Sequence, residues 1–159
     1  MTTTGNFTTA QIKADEEACI LPKFNLEIAN ELGLFATELA KSKNLSVTIS
    51  IFDGEWEVFK VCLPGTKPLN SNWVRRKART VYLTRTSTMF QRVNAEEQNL
   101  DWHELHALPA EDHAIHGGGF PINTADGFRG SLIIGGLPQV DDHNFAIEIL
   151  IKFKETLTN

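Results

Sequence analysis

Two Asp-Gly dipeptides, Asp53-Gly54 and Asp126-Gly127, constrain this chain more than any other feature of it. Each separates two apolar runs. Val47-Thr-Ile49-Ser-Ile51 precedes the first, with strict alternation, and Glu55-Trp56-Glu57-Val58 follows it. The second lies between Phe120-Pro-Ile122 and Leu132-Ile-Ile134. Period-two alternation marks a strand with one buried face. An Asp-Gly link tolerates positive φ at both central positions of a two-residue hairpin turn. Two hairpins predict antiparallel pairing, and helices must then cover the sheet.

The helices are legible at three places. Asn25 predicts a cap for a helix starting at Leu26, with Ile28, Leu32, Phe35 and Leu39 at helical spacing and Lys41 and Lys43 near its end. Asn70 or Ser71 caps a second helix after Pro68, with Val74, Ala78 and Val81 on one stripe. From Asp141 to Lys154 two periodicities compete. Phe145, Ile147, Ile149, Ile151 and Phe153 alternate like a strand, yet Phe145, Ile149 and Phe153 also recur every four residues. Pro138, Asp141 and Asp142 at the start and Lys152 and Lys154 at the end favour a helix. Apolar on two faces, it calls for the sheet and a second subunit as partners. A short helix is expected within Leu100–Leu108, and the rest of 86–115 gives no clear signal. The order helix, hairpin, helix, hairpin, helix predicts an α+β sandwich with an antiparallel sheet. One domain is expected over 25–159, preceded by a loose Thr-rich arm, 1–24.

The 159 residues suit one domain. A hydrophobic share of 42%, with 10 Phe and 3 Trp, can fill its core. Cys19 and Cys62 make no disulfide framework and read as reduced thiols. The N-terminus lacks the basic and apolar regions of a secretory signal, and no run of 18 apolar residues occurs. A cytoplasmic protein with no membrane partner is the expectation.

Net charge is −5, which disfavours a nucleic-acid coat, but the charge is unevenly spread. Between Val58 and Ala95 there is no Asp or Glu, while Lys60, Lys67, Arg75, Arg76, Lys77, Arg79, Arg85 and Arg92 sum to +8. Arg75, Arg76 and Lys77 are expected in the first turns of the second helix, where free N–H groups attract anions. An anionic ligand or an acidic protein partner fits them; so does a plain solvated helix face.

Four of the five histidines fall in His103-Glu-Leu-His106 and His113-Ala-Ile-His116. The first pair is one residue short of the zinc-protease spacing and has no cysteine nearby, so no metal site is assigned. His116-Gly117-Gly118-Gly119 looks like an esterase oxyanion loop, but the Gly-x-Ser-x-Gly elbow such enzymes need is absent. Its glycines offer exposed N–H groups and close backbone approach, or simply a tight entry into a strand. Asp142 and His143 open the last helix, where capping alone would explain the aspartate.

Three blocks carry a wider resemblance. They are Leu63-Pro-Gly-Thr with Asn70-Ser-Asn-Trp73-Val-Arg75-Arg-Lys77, then His116-Gly-Gly-Gly-Phe-Pro-Ile122, then Gly136-Leu-Pro-Gln-Val-Asp141-Asp-His143. In order and spacing they resemble the haem-degrading-domain family, also called HbpS- or GlcG-like, and within it a branch of short fungal and bacterial proteins. The resemblance spans roughly residues 25–155. It implies a profilin-like α/β sandwich and oligomers, often rings. Some relatives bind haem or iron. His116 and His143 match the branch's own motifs; His103, His106 and His113 do not.

The expectation for function is an oligomeric module binding a small anionic ligand, with haem as one candidate. Trp73, Arg75, Arg76 and Lys77 would supply charge and stacking, His116, Gly117, Gly118 and Phe120 the floor, and Asp142 and His143 the rim. The alternative is a protein-interaction scaffold with no small ligand, in which the basic residues make subunit contacts. An enzyme using Asp142 and His143 ranks last, because no nucleophile is evident.

Overall fold

The structure, a computed structural model, describes residues 4–157. Its elements run α1 (Thr9–Ala18), α2 (Leu26–Ser42), β1 (Thr48–Asp53), β2 (Trp56–Cys62), α3 (Pro68–Thr84), α4 (Thr88–Glu97), α5 (Trp102–His106), β3 (Gly119–Thr124), β4 (Gly127–Gly135) and α6 (Gln139–Leu157). The four strands form one sheet in the order β2-β1-β4-β3. All three pairings are antiparallel.

Alternation sets which layer each residue joins. Leu132 and Ile134 of β4 belong to the main core with Leu32 and Ala36 of α2 and Phe145, Ile149 and Phe153 of α6. Ile133, between them, meets Val74, Ala78 and Val81 of α3 on the other face. The sheet is thus sandwiched, with α2 and α6 on one side and α3 on the other. The cap at Asn25 forms as its sequence suggests, its side chain accepting from Ile28 N at 2.8 Å. Among the described residues no helix is long and apolar enough to cross a membrane.

Several expectations change in detail. Asp53 pairs with Trp56 and Thr124 with Gly127, so the two-residue turns are Gly54-Glu55 and Ala125-Asp126, each one residue off. The stretch read as a loose arm contains α1, whose Ile12 is fully buried against Met89 and Val93 of α4. Leu21 N, just beyond α1, donates to Asn123 O of the outer strand β3 at 2.9 Å. One edge of the sheet is therefore covered by the N-terminal segment, while β2 forms the other edge with Trp56 63% exposed. In α6, Ile147 and Ile151 are half-buried against the same core as Phe145, so α2 and the sheet supply much of the partner surface expected from a second subunit.

Candidate functional site

α3 begins at Pro68, earlier than Asn70 or Ser71 suggests, because proline suits the first helical position and Asn70 reaches back to accept from Lys67 N at 2.8 Å. Arg75, Arg76 and Lys77 therefore lie in the middle of a 17-residue helix, away from its free N–H groups. What they acquire instead is direction. Successive helical residues turn by about 100°, so three neighbours face three ways.

Asn70, Trp73 and Lys77, at i, i+3 and i+7, share one stripe. It faces His116 and the corner between β4 and α6, from Gly136 to Asp142, and these residues line a half-open cavity of about 300 Å³. At its floor the Lys77 side chain is 3% exposed. Its Nζ donates to Ile134 O at 2.8 Å and to Asp142 Oδ2 at 3.1 Å. Asp142 Oδ1 accepts from Leu137 N at 3.1 Å, which fixes the turn into α6. One ammonium thus joins α3, the end of β4 and α6. Burial pushes the Lys77 ammonium down and the Asp142 carboxyl up to about 6, each against the attraction of its partner. Both shifts favour the uncharged forms of the pair.

The upper wall is aromatic and basic. The Trp73 ring meets the His116 ring edge-on at 4.6 Å. The Arg76 guanidinium lies 4.1 Å from the Trp73 centroid, a cation–π contact. Arg76 Nε also donates to Ala110 O at 2.7 Å, pinning the loop that leads to His116. His116 sits exposed at the mouth. Local packing and the cations Arg92, Lys77 and Arg76 push its imidazole down to about 4. Its Nδ1 is 3.4 Å from Arg92 Nη2. A guanidinium only donates, so Nδ1 accepts and Nε2 carries the proton.

The glycine turn closes the back. Gly117 N donates to Gln139 Oε1 at 3.2 Å. Gly118 has φ +127°, and a Cβ there would collide with Ile134 O and stand 2.8 Å from Lys77 Nζ. Only glycine satisfies both demands.

Of the residues expected at the site, Trp73, Lys77, His116 and Asp142 line the cavity, with Arg76, Gly117 and Gly118 immediately behind them. Arg75, Phe120 and His143 lie elsewhere. Arg75 points to the opposite flank of α3, donating to Asn72 Oδ1 at 2.8 Å. It borders a groove of about 340 Å³ shared with the β1–β2 hairpin, whose charged groups, Glu55, Glu57, Lys60 and Arg79, are all exposed. Phe120 points from β3 into the core. His143, one residue round the helix from Asp142, is fully buried, with the Phe7 and Phe120 rings at 5.1 and 5.7 Å. Neither ring nitrogen has a partner, and burial pushes the group down to about 4.

Sequence reasoning missed Asn70, Gln139 and Arg92 as site residues. The first two stand inside the family-like blocks; Arg92 lies on α4, which shows no clear sequence pattern. His103 is spent on Leu108 O at 2.8 Å and on the Trp102 ring. Among the described residues no cluster of three or more His, Cys, Asp or Glu could hold a metal ion.

Sheet and corner cavity together define a profilin-like α+β sandwich. The chain belongs to the family described as haem degrading protein HbpS-like, whose pattern matches residues 24–150. A UPF0303 protein of Paraburkholderia phymatum is 36% identical over 140 residues, covering 87% of this chain and 85% of the relative. The crystal structure of Ybr137w protein superposes with a TM-score of 0.85 at 25% identity, over 93% of this chain and 88% of that one. The PduOC:heme complex shares the fold, with a TM-score of 0.65 at 22% identity over 79% and 94% of the two chains.

Proposed function

We propose that the corner cavity binds a small organic anion. What supports this is the convergence of Trp73, Lys77, His116 and Asp142, drawn from three distant segments, on one half-open cavity. The Trp73–Arg76 platform offers a flat face and a positive charge, and His116 Nε2–H and the Gln139 amide offer donors. A cavity of about 300 Å³ stands at the lower end of the range for small-molecule sites.

Haem, which the PduOC structure contains, suits these residues less well. The cavity is small for a porphyrin. His116, the imidazole that borders it, carries its proton on the nitrogen that would have to bind iron. His143 is sealed in the core. A propionate-like carboxylate suits the mouth better than the macrocycle does.

Calorimetric titration with lactate and benzoate tests the proposal. Saturable binding is expected, weakened about tenfold in Trp73→Ala, as loss of a cation–π platform implies. Absence of saturable heat with every anion would sink it. Titration with haemin is expected to give no Soret shift that His116→Ala removes; such a shift would make haem the ligand.

The proposal includes self-association. The uncovered β2 edge and exposed Trp56 offer an unpaired margin to a second copy. Light scattering should report a mass above 17.7 kDa. The scaffold alternative draws on a different observation, the exposed positive charge of Arg75 and Arg79 beside the β1–β2 hairpin. It requires Arg75→Glu to change the assembled mass while no anion binds.

A further inference from the structure

Two features of the cavity floor exceed what anion capture needs. The Lys77 nitrogen is buried yet borders the cavity. A carboxylate oxygen of Asp142 stands 3.1 Å from it. An anion trap alone would gain nothing from a carboxylate at that distance, because it offsets the charge of the cation.

We propose that Lys77 is a nucleophilic amine that condenses reversibly with the carbonyl carbon of a small 2-oxo acid held in this cavity, with Asp142 carrying the proton. This rests on the anion-binding proposal and names its ligand class. An amine attacks only when unprotonated, and burial of this pair favours that form. A proton passes from the ammonium to Asp142, and the freed nitrogen pair bonds to the carbonyl carbon. A second nitrogen proton passes to the carbonyl oxygen, giving a carbinolamine. Asp142 then returns its proton to that hydroxyl, the C–O bond breaks, and water leaves. An iminium cation remains beside the Asp142 carboxylate. Two ammonium protons have left with the carbonyl oxygen, and charge is conserved.

The ligand class follows from the walls. The His116 N–H at the mouth, with the Arg76 guanidinium stacked behind Trp73, calls for a negative group, and the limited volume leaves few carbons between that group and the amine. A carboxylate adjacent to the carbonyl meets both conditions.

The test uses the full chain with pyruvate as probe and cyanoborohydride as trap at pH 7, followed by peptide mass mapping. Lys77 is expected to be labelled at least about tenfold faster than the exposed Lys41 and Lys60, because only Lys77 has a carboxylate 3.1 Å away to move its proton. Lactate, similar in size but without the carbonyl, should slow that labelling. Asp142→Asn should slow it about a hundredfold, in the range of general acid catalysis, and leave Lys41 unchanged. Should that variant fail to fold, the site-resolved rates in the unaltered protein still decide. Labelling of Lys41 and Lys60 with Lys77 untouched overturns the amine chemistry. If lactate binds calorimetrically in that case, the anion site stands without it; if lactate does not bind, both fall.

Discussion

At the scale of single residues, the contrast between Asp142 and His143 is the most instructive. They are neighbours in the chain, yet one borders the cavity and the other is fully enclosed. His143 makes the stability of this protein depend on pH. Its folded-state value is pushed from 6.5 down to about 4, so the unfolded chain binds the extra proton first. Its stabilising contribution is complete above pH 6.5 and is lost as pH falls toward 4. Between pH 7 and 5 this amounts to roughly 2 kcal/mol. Urea unfolding at the two pH values should show that loss in the native sequence and a smaller one in His143→Leu; equal slopes would refute it. Gly118→Ala should destabilise by about 1–3 kcal/mol through its positive φ and weaken anion binding as well. A correct fold and unchanged anion affinity in that variant would show that the glycine turn does not shape the cavity floor. The residue types at the site were visible in the sequence, but their directions were not. Which of Arg75, Arg76 and Lys77 faces the cavity is decided by how the Val74, Ala78 and Val81 stripe seats on the sheet beside the β4–α6 corner, a tertiary placement that the local pattern does not contain.

At the scale of elements, legibility followed amphipathicity. The hairpins and α2, α3 and α6 announce themselves because each repeats an apolar residue against one layer. Helices α1 and α4 do not. α1 buries Ile12 within an otherwise polar sequence, and α4 buries Thr88, Met89, Val93 and Ala95, a mixed set with no clean stripe. Each covers the other at the sheet margin, so their stability is tertiary rather than local. Ile12→Ala should therefore cost about 2–4 kcal/mol in urea unfolding, the range for a fully buried aliphatic side chain. A cost below about 0.5 kcal/mol, typical of exposed positions, would mean the N-terminal segment is as loose as its composition suggests.

At the scale of the whole molecule, the sheet separates α3 from α2 and α6, and the Lys77–Asp142 pair bridges them around the end of β4. Lys77→Met alone leaves a buried carboxylate uncompensated and should cost about 3–5 kcal/mol. Adding Asp142→Leu should recover much of that, short of about 1 kcal/mol for the orphaned Leu137 N–H. Recovery of none would show that the pair is not the coupling unit. The same two side chains form the floor of the cavity, so occupancy and cohesion are reciprocal. A molecule seated on Lys77 binds the closed sandwich and not the parted one, and mass action then raises the melting point with each increment of ligand. Whatever loosens the two layers must in turn release the guest.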